Sequence, residues 1–270
     1  MALSLSTYTG KLRRWNGAAW TDVPNSNTGG FSFGLHGTSA NDLWVTTTDI
    51  FGAGTGTVHR FNGTSYTQTT PSFPNTVTSS IQVLSSNSAF VGGGPYSGTG
   101  TATGPGTLAQ WNGTAWTKIA HNLPNGAFIG VWAASATDVW VVGENGIVGR
   151  YNGTTITQVT SGVSVDLARV WGTSSSDVWI VGEGGTVLRW NGAALTRLNA
   201  PTTDNLRGVH GTGPGNVWIS GEGGTLLHWN GAALREVDSG TAKGLYSVWA
   251  TSATDAWAVG DDGTILRYRP

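Results

Sequence analysis

The 270-residue chain contains no cysteine, and only 11% of its residues are charged. Without cysteine, neither a disulfide framework nor a thiolate metal site can form. The net charge is −1, and the 14 lysines and arginines are scattered, whereas nucleic-acid binding usually requires clustered cations. Because no run of 18 apolar residues occurs, we expect no membrane insertion. This composition suits a bacterial protein, either cytoplasmic or secreted, and residues 1–10 lack a signal-peptide pattern.

Glycine and tryptophan are abundant instead, with 42 and 14 copies. Six times an aromatic residue is followed by Asn-Gly, and a seventh aromatic at Tyr268 lacks that pair. The six pairs begin at Asn16, Asn62, Asn112, Asn152, Asn191 and Asn230. The last three steps between the aromatics are 39 residues each. A constant period of this length indicates a tandem array of one supersecondary unit.

Each repeat is predicted to contain four short strands separated by turn residues. In one copy the last three are Asp177–Val181, Thr186–Trp190 and Ala194–Leu198, all rich in β-branched, aromatic or other apolar residues. Gly-Gly, Asn-Gly or Asp-Gly separates strands two and three, and the recurring Asn-Gly separates strands three and four. Both pairs favour type I′ hairpin turns. Two hairpins in series plus a first strand form a four-stranded antiparallel blade. Repeated blades predict an all-β fold, a β-propeller, and we expect one domain over residues 1–270.

The number of blades depends on how the two ends of the chain are used. First strands occur six times, so six blades is the simplest count, and seven is the alternative. Six blades would close by pairing Ala18–Val23 with the C-terminal three strands. Ala2–Trp15 is then left over, which indicates either an incomplete seventh blade or a strand donated to another subunit. The latter would make the chain a homo-oligomer through its N-terminal strands.

Two insertions interrupt the period between strands two and three, at Thr47–Gly56 and Gly92–Pro105. Both loops are expected on the same face, on adjacent blades. Added loops on one rim often carry binding specificity in repeat proteins, although an exposed hairpin tip also tolerates insertion without any function.

The blade pattern resembles that of the tectonin-like propeller lectins. The matching elements in one copy are Val178-Trp179 and Gly185–Trp190, and a closing tryptophan occurs only at Trp20 and Trp116. Later copies place Ile156, Leu195 and Leu234 there, which departs from the family. The resemblance implies a non-enzymatic protein that binds glycans between blades or at a rim. It favours an extracellular or cell-surface location.

The polar residues give no sign of catalysis. One acidic residue per repeat precedes the second strand, as at Asp177, and a second series flanks the tight turns, as at Glu183. Members of either series are distributed one per blade, so they cannot pair as general acid and base. We expect them to order turns or be solvated. The five histidines lack metal-ligand spacing. We therefore predict no enzyme activity, no cofactor and no metal site.

Aromatic residues at the end of the first strand are the better candidates for a binding site. Aromatic faces stack on sugar rings, and indole or imidazole can hydrogen-bond hydroxyl groups. The same residues could equally pack between blades, since tryptophan is usually well buried. The predicted ligand-binding residues are His36, Trp132, Trp171, His210, Trp249, Arg169 and Tyr96. The predicted function is multivalent glycan binding, and the alternative is a protein-interaction scaffold that uses the loop-bearing rim.

Overall fold

The computed structural model describes residues 2–5, 10–23, 31–49, 54–95 and 104–269. Its described secondary structure consists of 26 β-strands and three single-turn 3₁₀ segments. The chain divides into two compact units, Met1–Val141 with Arg150–Thr157 and Val142–Gly149 with Gln158–Pro270. Each unit is built from antiparallel sheets whose strands follow one another in chain order.

Unit 1 contains one three-stranded sheet and two four-stranded sheets. The first sheet comprises β1 (Ala2–Leu5), β2 (Gly10–Trp15) and β3 (Trp20–Asp22). The second comprises β4 (Phe31–Ser39), β5 (Asp42–Thr48), β6 (Gly56–Phe61) and β7 (Tyr66–Gln68). The third comprises β8 (Thr76–Ser85), β9 (Ser88–Pro95), β10 (Thr107–Trp111) and β11 (Trp116–Lys118). Apolar side chains fill the space between successive sheets, with the buried Trp44, Ile81 and Trp111 in one cluster.

The boundary between the units passes through a sheet of β12 (Phe128–Ser135), β13 (Asp138–Gly143), β14 (Val148–Tyr151) and β15 (Ile156–Gln158). Unit 2 then contains β16 (Leu167–Ser174), β17 (Asp177–Gly182), β18 (Thr186–Trp190) and β19 (Leu195–Leu198). Next come β20 (Leu206–Gly213), β21 (Asn216–Gly221), β22 (Leu226–Trp229) and β23 (Leu234–Glu236). The last sheet has three strands, β24 (Leu245–Ser252), β25 (Asp255–Gly260) and β26 (Ile265–Tyr268).

The predicted fold class is confirmed: the chain is an all-β protein, a six-bladed β-propeller. Six sheets begin with a long first strand of 8–10 residues, namely β4, β8, β12, β16, β20 and β24. The sheet β1–β3 lacks such a strand and is additional to the six. All six residues of the second strand β17 are buried, because apolar side chains pack against both faces of an interior sheet.

The predicted pairing of Ala18–Val23 with the C-terminal strands was wrong. In the structure β3 pairs with β2, with Trp20 opposite Trp15. The reason is local: the Asn16 side-chain oxygen accepts hydrogen bonds from the backbone N–H groups of Ala18 and Ala19 and closes the hairpin. A short loop of this kind costs less closure entropy than a long-range pairing. The described N-terminal residues therefore form a three-stranded sheet of their own.

The two kinds of turn differ, which the sequence prediction did not anticipate. Between strands two and three, both central residues have positive φ, as at Gly184 and Gly185, so the type I′ prediction is confirmed there. At the recurring Asn-Gly only the glycine has positive φ. That loop has four residues, since Trp190 pairs with Leu195, and the Asn191 side chain accepts two backbone N–H groups across it. The type I′ prediction was wrong at these loops.

The second predicted insertion begins later than expected, because Gly92–Pro95 continues strand β9. The glycines allow neighbouring segments of the backbone to approach closely. A Cβ atom at Gly93 would lie 2.1 Å from the Val77 carbonyl oxygen, and one at Gly94 would lie 2.3 Å from the Ala127 Cβ. The middle parts of both insertions, including Tyr96, lie outside the described residues.

Candidate functional site

A repeated polar frame holds the second and third strands of most blades together. In unit 2, Asp177 accepts a hydrogen bond from Thr173 at 2.7 Å and forms an ion pair with Arg189 at 2.8 Å. The Arg189 guanidinium lies 4.8 Å from the centre of the buried Trp179 ring. The equivalent ion pairs are Asp42–Arg60, Asp138–Arg150 and Asp255–Arg267. These acidic residues accept hydrogen bonds from threonine hydroxyls beside the turn, as at Thr173, and their pairing with arginines on the third strand was not predicted.

The aromatic candidates share one register on the first strands of the blades. His36 lies opposite Trp44, Trp171 opposite Trp179, His210 opposite Trp218 and Trp249 opposite Trp257. In β8 the residue in this register is Gln82, opposite Phe90. Gln82 was not among the predicted site residues. The eight-residue spacing to the aromatic of the second strand would have identified it.

Three of the predicted residues form a stack in unit 2. His210 lies between Trp171, at 5.3 Å between ring centres, and Trp249, at 3.8 Å and nearly parallel. The backbone N–H of Ala250 donates to His210 Nδ1 at 3.1 Å and fixes the imidazole. The Trp249 side chain is 52% exposed, so this end of the stack is open to a ligand.

The two other aromatic candidates of the first strands lie in unit 1. Trp132 is buried, with 8% exposure, which fits the alternative of packing between blades. His36 is half-buried, and its Nδ1 accepts a hydrogen bond from the backbone N–H of Val83 at 3.2 Å. Burial lowers the pKa of His36. Neither residue offers the exposed ring surface of Trp249.

Arg169 lies two residues before Trp171 on β16, next to a charged cluster at the start of β20 and β24. Burial and the neighbouring Arg207 guanidinium lower the pKa of Arg169. Arg207 forms an ion pair with Glu222, whose other oxygen accepts from Asn205 at 3.0 Å. The half-exposed Tyr246 donates to Asp261 at 2.8 Å, and this hydrogen bond, followed by burial, raises the pKa of Tyr246.

Arg207 and Tyr246 were not among the predicted site residues. Each occupies the bulge of its first strand, where the register shifts between Leu206 and Gly208 and between Leu245 and Ser247. A bulge turns an additional side chain out of the ladder. We call Arg169, Trp171, Arg207, His210, Tyr246 and Trp249 the inner-strand surface of unit 2.

The described residues include no group of three or more His, Asp or Glu side chains that could hold a metal ion. Among those same residues, no helix has the length and apolar character needed to cross a membrane.

No family model matches the chain, and no curated protein matches it. Solved structures do resemble it. Ycf48 bound to a D1 peptide aligns with a TM-score of 0.70 and 16% identity, covering 97% of this chain and 85% of that chain. The WD40 β-propeller domain of Doa1 aligns with a TM-score of 0.69 and 12% identity, covering 96% and 85%.

A Bacteroides thetaiotaomicron protein of unknown function aligns with a TM-score of 0.61 and 11% identity, covering 98% of this chain and 82% of that chain. At these identities the similarities establish the fold alone. The resemblance to tectonin-like lectins stays a prediction, as does the assignment of every site residue.

Proposed function

We propose that this protein is a non-catalytic scaffold that binds a peptide segment of a protein partner through the inner-strand surface of unit 2. The proposal rests on one observation: the blades carry different side chains at equivalent positions of their first strands. The frame repeats from blade to blade, but the polar and aromatic side chains of the first strands do not: β20 has the half-buried Arg207 and His210, and β24 has the exposed Tyr246 and Trp249.

Such a surface suits one partner better than several identical small ligands. It combines arginine, tyrosine and tryptophan, the residue types enriched at protein interfaces and at their energetic hot spots. The two tryptophans and the imidazole offer apolar area, and the arginines offer donors for carboxylate or carbonyl groups. The structural similarity to Ycf48, which is described with a bound peptide, supports the same interpretation.

The test is selection of peptides from a random display library on the immobilised chain, followed by calorimetry. We expect one peptide site per chain and at least tenfold weaker binding after Arg207→Gln or Trp249→Ala, since hot-spot truncations cost about 2 kcal/mol or more. Arg235→Gln, an exposed change on β23 of the same unit, is the control and should bind normally. Failure to enrich any peptide, or equal binding by all variants, contradicts the proposal.

Glycan binding is the second candidate, and the open face of Trp249 is the observation that favours it. A half-exposed indole backed by His210 can stack on the apolar face of a sugar. A glycan array followed by calorimetry distinguishes the two functions. Several sites per chain for one monosaccharide support the lectin, whereas a negative array and a single peptide site support the scaffold. Trp171→Ala, checked by circular dichroism, tests whether the stack takes part.

A further inference from the structure

Three of the six recurring Asn-Gly loops carry a sequence motif that the other three lack. Threonine follows the pair that begins at Asn62, Asn112 and Asn152, and alanine follows the pair that begins at Asn16, Asn191 and Asn230. Asn-x-Thr and Asn-x-Ser are the acceptor sequences of N-linked glycosylation. The chain contains no others besides these three, and all three lie in unit 1.

The threonine hydroxyl is not needed to close the loop. In an alanine loop, the Asn191 Oδ1 atom accepts hydrogen bonds from the next two free backbone N–H groups, both at 3.0 Å. In a threonine loop, the Asn62 Oδ1 atom accepts the equivalent N–H groups at 3.1 and 3.0 Å. Because the backbone closes in the same way with either residue, the conformation of the turn does not explain the threonine.

In all three motifs the threonine hydroxyl contacts the acceptor amide. It donates to the asparagine Oδ1 atom at 2.9 Å in the first motif and at 2.8 Å in the other two. The asparagine and threonine side chains are exposed, and among the described residues no group accepts a hydrogen bond from the three Nδ2 atoms. Each Nδ2 atom is therefore accessible, and the donors on Oδ1 stabilise the negative charge that forms there when Nδ2 loses a proton.

The edge strands that follow the loops differ in the same way as the loops. An edge strand exposes unpaired backbone groups, and charged side chains are one means of preventing its pairing with another chain. After the alanine loops, the edge strands β3, β19 and β23 contain Asp22, Arg197 and Arg235. After the threonine loops, β7 and β15 contain no charged residue, and β11 contains only Lys118. A sugar beside these strands would add the bulk and solvation that their side chains lack.

We propose that Asn62, Asn112 and Asn152 are sites of N-linked glycosylation. The donor is a sugar activated as a glycosyl phosphate or pyrophosphate, carried by a nucleotide or by a polyprenyl lipid. Nδ2 attacks the anomeric carbon, the bond from that carbon to the phosphate oxygen breaks, and the phosphate leaves with the electron pair. A base of the transferase takes the Nδ2 proton, and Oδ1 keeps its hydrogen bonds to the loop. The modification goes beyond the scaffold function proposed above, because it lies in unit 1 and uses none of the inner-strand surface.

The test is peptide mapping by mass spectrometry of the chain purified from its natural host. We expect sugar on the three threonine loops and none on the alanine loops. The purified unmodified chain is also incubated with UDP-glucose and a soluble N-glycosyltransferase, and separately with a polyprenyl-pyrophosphate oligosaccharide and an oligosaccharyltransferase. The donor that modifies the chain identifies the source of the sugar. Absence of sugar from all three loops in the natural chain, or equal modification of the alanine loops, overturns the proposal.

Variants assign the modification to the motif. Thr64→Ala should abolish modification of Asn62 and leave that of Asn112 unchanged, whereas Thr64→Ser should retain both. Ala193→Thr should create a new acceptor at Asn191 in unit 2, and Ala193→Val, which has the same shape without the hydroxyl, should not. Circular dichroism confirms that each variant folds. Modification of Asn62 in folded Thr64→Ala, or an unmodified Asn191 in folded Ala193→Thr, contradicts the proposal.

Discussion

The sheets β16–β19 and β20–β23 have the same strand register. They differ in the pair of side chains that covers the buried tryptophan of the second strand. In the first, Asp177 and Arg189 form an ion pair beside the buried Trp179. In the second, Asn216 occupies the aspartate position and shares a hydrogen bond with His228 at 2.7 Å, and the imidazole stacks on Trp218 at 4.2 Å. Both indoles are fully buried.

The comparison shows which features the two frames share. Both sheets retain a buried indole, a flat cationic or aromatic side chain over it, and a hydrogen bond from the third strand to the second. The opposite charges of Asp177 and Arg189 are replaced by an amide and an imidazole, as expected where desolvation offsets much of the attraction between buried ions. A threonine hydroxyl completes both frames, as donor from Thr173 to Asp177 and as acceptor for Asn216 at Thr212.

The largest expected effect comes from removing the shared indole. Trp179→Ala and Trp218→Ala should each lower the free energy of unfolding by about 3–5 kcal/mol, because both side chains are completely buried. Chemical denaturation monitored by circular dichroism measures this loss. Trp249→Ala is the control and should cost less than about 1 kcal/mol, given its exposure. A small loss in the two buried variants would refute the packing role assigned to these rings.

The second prediction replaces the ion pair of β16–β19 with the asparagine–histidine pair of β20–β23. Asp177→Asn leaves Arg189 facing an amide and should cost about 1–3 kcal/mol, the range for losing a charged hydrogen-bond partner. The double variant Asp177→Asn with Arg189→His recreates the pair of the neighbouring sheet and should regain part of that loss. A double-mutant cycle in urea gives the coupling energy. Strictly additive losses would show that the two frames are not interchangeable.

The reverse exchange should change the pH dependence of stability. Burial lowers the pKa of His228, so the unfolded chain binds more protons and stability falls as the pH drops below about 6.5. Asn216→Asp places a carboxylate at His228 and should raise its pKa. The added stability is then fully present below about pH 6.5 and is lost as the pH rises through the new pKa.

Unfolding free energies of both proteins from pH 5 to 8 test this sign. His36 and His59, whose pKa values burial also lowers, are present in both proteins and cancel in the difference. Parallel pH profiles would contradict the prediction.

The smallest effect is expected at the threonines. Thr212→Val leaves one N–H of the Asn216 amide without its acceptor, and Thr173→Val removes a donor to Asp177. Thr212→Val should cost about 0.5–1.5 kcal/mol, the net value of a single neutral hydrogen bond, and Thr173→Val about 1.5 kcal/mol, the lower end of the range for a hydrogen bond to a charged group. Thermal unfolding resolves losses of this size, and Thr196→Val, an exposed position, serves as the control. A loss above about 3 kcal/mol would indicate disrupted packing instead.

The regular repeats could be predicted because their determinants are local. Glycine and asparagine specify the hairpins, and the apolar runs specify the strands. The ion pairs were missed although a signal exists: Asp138, Asp177 and Asp255 each precede an arginine by 12 residues. The bulges that expose Arg207 and Tyr246 have no such signal, since a bulge depends on how the first strand fits its neighbour.

The sequence by itself determined the repeating unit, the order of its strands and the aromatic residue that recurs in most first strands, although those strands continue three residues beyond it. Only the tertiary structure decided which of those residues meet. Trp171, His210 and Trp249 are separated by 39 residues each, and they stack because successive sheets of unit 2 bring their first strands together. Contacts of this kind depend on the packing of whole sheets, which no local pattern encodes.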